Sequence, residues 1–157
     1  MDRRTTAIAA ALSLLPLWQT LLLGSTTALT TAAVVLQAPA AHAQRADEFT
    51  NRGIIKWKGG DYQGAIADYS KAIELNSQDA FAYNLRGLVK YKLQDYQGAI
   101  ADYSSAIEIN PQRAHSYANR GVAKEVAGDL VGACADWRKA AGFGLEDASG
   151  WVSKQCH

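Results

Sequence analysis

Few side chains in this chain could do chemistry, and most of them are regularly placed. Cys134 and Cys156 are the only two cysteines. Two thiols in an oxidising compartment usually pair, and closing this loop would stabilise the fold by roughly 3 kcal/mol in the chain-entropy picture. Two inert, unpaired thiols are the alternative. His42, His115 and His157 stand apart from one another and from the cysteines, so the chain offers no metal set and no paired base and nucleophile. Cys134 lies near Asp136 but has no base beside it. No H-E-x-x-H, G-x-S-x-G, P-loop or dinucleotide glycine pattern is present. Neither catalysis nor a cofactor is expected.

The remaining candidates form two rows. Arg52, Arg86 and Arg120 recur at a fixed interval, and Asp68, Asp102 and Asp136 recur at the same one. One arginine–aspartate bridge per unit would account for both rows, since a partly buried bidentate pair fixes geometry even where its net stabilisation is small. The functional rival is an arginine row reading acidic ligands. The equal row of carboxylates favours the bridge.

The elements that carry these rows are repeats. Asp61 to Asn76 returns 34 residues later as Asp95 to Asn110, with only Lys71→Ser105 and Leu75→Ile109 changed. A weaker third copy starts at Asp129 and keeps Ala133, Asp136 and Ala140. A period of this size signals stacked supersecondary units, because one unit alone cannot bury its apolar face. Apolar residues three and four apart predict helices near 46–58, 62–75, 80–92, 96–109, 114–127 and 130–141. Gly59-Gly60-Asp61, and its counterparts ending in Asp95 and Asp129, break each pair, with the aspartate suited to capping the next helix. Pro111 fits a turn between units. An amphipathic segment over 145–155 has no partner helix and reads as a cap.

Residues 1–43 differ from the rest. Met1-Asp2-Arg3-Arg4 is followed by no charged residue until Arg45, and Ala41-His42-Ala43 precedes Gln44. A basic start, an apolar run and small residues at the break describe a secretory signal peptide. Thr5 to Gly24 is also long enough to span a bilayer, as an uncleaved anchor, and Arg3-Arg4 permits a twin-arginine route. The domain expectation is therefore a leader over 1–43 and a repeat domain over 44–157, divided near 46–79, 80–113 and 114–142. Export would place it in a periplasm, a thylakoid lumen or outside the cell. The body without the leader has 14 basic and 14 acidic residues, too balanced for a nucleic-acid footprint.

The 34-residue helix pair resembles the tetratricopeptide repeat, in an exported bacterial form. The marks are Gly53, Gly87 and Gly121 in the first helices. In the second helices they are Ala65, Ala99 and Ala133, then Tyr69, Tyr103 and Trp137, then Ala72, Ala106 and Ala140. The resemblance implies an all-α fold, an α-α superhelix of about three helix pairs with a C-terminal capping helix. The glycines would let helices approach and an aromatic fill the gap. Arg52, Arg86 and Arg120 depart from the family, where leucine is common.

The resemblance also implies a concave groove on the first helices, binding a protein or peptide segment as an adaptor or assembly factor. Its residues would be Thr50, Ile54, Trp57 and Lys58, then Phe81, Asn84, Leu88, Tyr91 and Lys92, then His115, Ala118, Val122 and Glu125. Trp and Tyr dominate interface energetics, although Trp57 and Tyr91 could equally shield the seams between repeats. Family members that grip chaperone C-termini use Lys and Asn side chains. Those places here hold Thr50, Ile54, Leu85 and His115, with only Asn119 comparable, so that carboxylate clamp is not expected. A membrane-anchored scaffold, or an accessory subunit of an envelope enzyme, is the alternative.

Overall fold

Asp61, Asp95 and Asp129 set the starts of three helices in the same way. Each carboxylate accepts from a backbone N–H three residues on, of Gly64, Gly98 and Gly132, at 2.8–2.9 Å. A Cβ at these glycines would sit 2.0–2.1 Å from the carboxylate's other oxygen, Oδ2, and 2.8–3.0 Å from the capping Oδ1, so a side chain there would displace the cap. In the computed structural model, which describes residues 42–156, α1 occupies 42–58. There follow α2 (Tyr62–Leu75), α3 (Ala80–Lys92), α4 (Tyr96–Ile109), α5 (Ala114–Val126), α6 (Leu130–Gly142) and α7 (Glu146–Gln155). No strand occurs among the described residues. Consecutive helices pack together from α2 onward and α3 also touches α5, so helix pairs stack into an all-α superhelical solenoid that ends on α7.

The helix expected from residue 46 is already formed at His42. Ala43, Gln44 and Arg45 are strong helix formers, and nothing in that stretch stops the helix. The leader over 1–43 and the possible span from Thr5 to Gly24 lie outside the described residues, apart from His42 and Ala43. Among the described residues no helix is long and apolar enough to cross a membrane.

Each pair closes where glycine meets an aromatic ring. Tyr69, Tyr103 and Trp137 are at most 1% exposed, and they lie against Gly53, Gly87 and Gly121. A Cβ on these glycines would come within 2.5–2.7 Å of a ring atom, closer than any side chain tolerates. Ala65, Ala72, Ala99, Ala106, Ala133 and Ala140 are wholly buried around the rings. The turn inside each pair uses a left-handed residue: Gly60 and Gly128 at φ 84° and 90°, but Gln94 at φ 63° in the middle pair. The amide of the following aspartate donates to a carbonyl five residues back in all three turns, so the middle turn keeps its form despite lacking glycine.

At the C-terminal end α7 covers α6. Trp151 lies against Trp137 with ring centres 5.8 Å apart, Ala148 is wholly buried, and a disulfide joins Cys134 to Cys156.

Candidate interaction groove

The arginine and aspartate rows meet at the seams. Arg86 donates from Nε and Nη2 to the two carboxylate oxygens of Asp102 at 2.9 and 2.7 Å. Arg120 does the same to Asp136 at 2.8 and 2.7 Å, and Arg52 to Asp68. Sequence reasoning missed the third member. Lys56, Lys90 and Lys124 also pair with these aspartates, at 2.8–2.9 Å. They stand one helical turn after the arginines and share their period, which was the available signal.

The arginines also bind the stack together. Arg86 Nη1 donates to Ser70 of the preceding pair, and Arg120 Nη1 to Ser104, each at 3.0 Å. The Arg52 side chain is 56% exposed, against 18% for the other two. Its hydrogen bond to Arg52, more than the nearby Lys56, holds Asp68 below the usual carboxylate range against the opposing effect of burial. The Asp102 and Asp136 hydrogen bonds raise Arg86 and Arg120 above the ordinary guanidinium value. These arginines are committed to structure. Burial also pushes the Tyr69 phenol up to about 12 and raises Tyr103. Tyr69 Oη has no hydrogen-bond partner.

The residues assigned to the groove fall into three groups. Ile54, Trp57 and Leu88 are half-buried against Ala65, Tyr69, Leu85 and Val89. Leu88 and Tyr91 pack on Ala99, Tyr103 and Ala123, and Tyr91 meets Tyr96 edge to face at 5.4 Å. Val122 packs on Ala133, Cys134 and Trp137. These side chains fill seams between repeats while keeping part of their surface in the groove.

A second group forms a polar floor. Asn84 is 5% exposed, and its Oδ1 accepts from Ser116 Oγ at 3.3 Å and Asn119 Nδ2 at 3.2 Å. This small network joins α3 to α5 at the level of Ala118, itself 3% exposed. Thr50, one repeat earlier, is equally buried and its hydroxyl has no partner. Ser116 was not foreseen, because pairing across 32 residues depends on how the first helices stack.

The third group is open to solvent. Lys58, Lys92 and His115 are exposed, Phe81 is 43% exposed, and Glu125 is partly so. The face of α1, α3 and α5 thus has an aromatic and aliphatic wall, a hydrogen-bonding floor and charged rims. Such a surface can hold an extended chain or helix, since apolar side chains, backbone amides and end charges each find a counterpart. Among the described residues no group of three or more His, Cys, Asp or Glu could hold a metal ion.

Comparison with known proteins places these features. A family model described as TPR repeat matches residues 53–94, and one described as tetratricopeptide repeat matches residues 80–113. Among solved structures, the chain is similar to the second TPR domain of human RPAP3 in complex with the HSP70 peptide SGPTIEEVD. The two are 26% identical with a TM-score of 0.67, over 76% of this chain and 98% of that one. The Arabidopsis OM64 TPR domain is 25% identical with a TM-score of 0.67, over 72% and 98%. MamA is 29% identical with a TM-score of 0.62, over 66% and 61%. No curated protein matches the chain in sequence.

Proposed function

We propose that this tetratricopeptide-repeat chain is a non-catalytic interaction module that holds a peptide or protein segment across α1, α3 and α5, as an adaptor or assembly factor. The observation that carries the reading is the face just described, where half-buried aromatics, a polar floor and exposed Phe81 and Lys92 converge. The peptide bound by the human RPAP3 domain supports the same mode. Thr50, Ile54, Leu85 and His115 stand here where a carboxylate clamp would need Lys and Asn, with only Asn119 comparable, so the reading does not extend to an acidic chaperone tail. The helices are formed before binding, which leaves only the ligand to order.

The working place would be outside the cytoplasm, supported by the leader-like composition of 1–43 and by the Cys134–Cys156 disulfide. Because 42–45 are helical, processing between Ala43 and Gln44 would precede folding, since a peptidase takes its substrate extended. N-terminal sequencing of exported protein should start at Gln44; an intact Met1 in a membrane fraction supports the anchored alternative.

The groove is tested by affinity capture from the exported fraction of the source cells, with wild-type protein and a Tyr91→Ala/Lys92→Glu variant whose circular dichroism and melting show it folded. The partner should be recovered by the first and lost by the second. Equal recovery would refute the groove.

A further inference from the structure

Resting on the groove reading, the geometry points to a cation seat at one end of it: we propose that a lysine or arginine side chain of the bound peptide enters a cavity between α1 and the turn before α3. The cavity has a volume of about 430 Å³, ample for either side chain. Asp47 and Asp79 supply two carboxylates to its wall. Asn51, Asn76 and Gln78 supply amides, and no cationic side chain lines it.

An acidic wall alone says little, since exposed carboxylates are common. Thr50 adds an independent observation. It lines the same cavity, is 5% exposed, and its hydroxyl has no hydrogen-bond partner. Buried hydroxyls are seldom left unpaired, and an ammonium or guanidinium N–H is a donor it could accept. Phe81 closes another side and is 43% exposed. The Arg113 guanidinium already lies 5.2 Å from the centre of that ring, which shows it as a surface for cation–π stacking.

The repeat supplies a third argument. α2 and α4 are near copies, yet one unit further on the place of Asp47 is taken by Phe81 and that of Asp79 by Arg113. Two units on, the same places hold His115 and Asp147, so only this end has a carboxylate at both. The lysines on the groove, Lys58 and Lys92, close the first helices at their other ends, so a peptide lying across α1 and α3 meets the two carboxylates at one end and base at the other. Charge-assisted bonds of this kind set register as well as affinity.

The test uses the full chain, a phage-displayed library of random 12-residue peptides as probe, and an Asp47→Asn/Asp79→Asn variant. Asp79 Oδ1 caps α3 by accepting from the Phe81 and Ala82 amides at 2.9 and 3.0 Å, which leaves Oδ2 for the cation; asparagine at 79 keeps that cap, and unchanged melting shows the fold intact. Wild-type protein should enrich sequences with Lys or Arg at one fixed position, and the variant should not. A selected peptide resynthesised with norleucine for that lysine should bind roughly tenfold more weakly to wild type, with no change on the variant. Selected peptides that need Tyr91 and Lys92 but have no fixed basic residue would overturn the seat and leave the groove standing. Basic residues enriched equally on both proteins would also overturn it. No enrichment on wild type would overturn the seat and the groove together.

Discussion

Replacing Gly87 with alanine should destabilise the protein, although alanine is the better helix former. Alanine in a helix interior gains about 1 kcal/mol over glycine. Against that, its Cβ would lie 2.7 Å from Tyr103 Cε1, 3.0 Å from Cδ1 and 3.1 Å from Cζ. The ring is 1% exposed and packs on Ala99 and Ala123, which are wholly buried, so it cannot retreat without moving α4 or α5. Overpacking costs about 1–3 kcal/mol, and this crowding belongs in the upper half of that range. The net loss should be about 1–2 kcal/mol, a fall in Tm of roughly 4–8 °C for a domain of this size.

Gly150 provides the opposite sign from the same substitution. It lies inside α7, and nothing stands within 4 Å of its would-be Cβ. Gly150→Ala should leave stability unchanged or raise it by up to about 1 kcal/mol. Urea unfolding followed by circular dichroism gives both midpoints. A double-mutant cycle isolates the cause: Tyr103→Leu removes Cε1 and Cζ, and in that background Gly87→Ala should lose at least about 1 kcal/mol of its penalty. A Gly87→Ala protein that melts at or above wild type, or a cycle that shows no coupling, would refute the argument that ring contact dictates glycine.

Four further outcomes follow from the same geometry. Asp102→Asn leaves the Arg86 and Lys90 cations, 18% and 21% exposed, without their counter-ion, and should cost about 2–4 kcal/mol; Asp68→Asn should lower Tm less, because Arg52 is largely exposed, and equal losses by thermal melting would contradict this. Stability should be complete below about pH 10, where free tyrosine ionises, and fall as pH rises toward the folded Tyr69 value of about 12, since the unfolded chain loses that proton first; urea midpoints measured in Tyr69→Phe should fall less steeply. Gln94→Gly should raise Tm by a few degrees, because a non-glycine residue at φ 63° carries a penalty of about 1 kcal/mol. Reducing Cys134–Cys156 should lower stability by about 3 kcal/mol and open α7 to proteolysis first, with loss of the near-UV signal of the Trp137–Trp151 pair.

Much of the architecture was readable because the duplication repeats the physics. Asp61, Asp95 and Asp129 announce helix starts, and the aromatic–glycine register announces the crossings. The 16-residue offset between Arg86 and Asp102 exists only if two helices fold back on each other, so a shared period was enough to suggest a pair. Lys90 was missed because lysine on a helix reads as a solvated charge until the aspartate it faces is known to be 4% exposed. The middle turn shows the reverse: Gln94 lacks the glycine signal, yet the flanking helices impose the left-handed residue.

The groove was less readable, and the reason is geometric. Periodicity says which side of a helix Trp57 or Tyr91 occupies, but the angle between stacked pairs decides whether that side faces a seam or solvent. Both residues do some of each. What the sequence does contain is a contrast between seam and groove. The seam positions are held through the units as Arg, Gly, Lys and Asp, and Ile54, Leu88 and Val122 stay aliphatic, while three other groove positions change: Thr50, Asn84 and Ala118; Trp57, Tyr91 and Glu125; Asp47, Phe81 and His115. Stacking requires each seam to be alike, since every pair meets the next in the same way. Nothing in stacking requires the groove to vary. Stacking leaves these positions free to differ, and a surface that reads a ligand uses that freedom to present different chemistry at each step along it. The places where the repeats disagree are therefore where recognition should be sought, and the cavity between Asp47 and Asp79 is one of them.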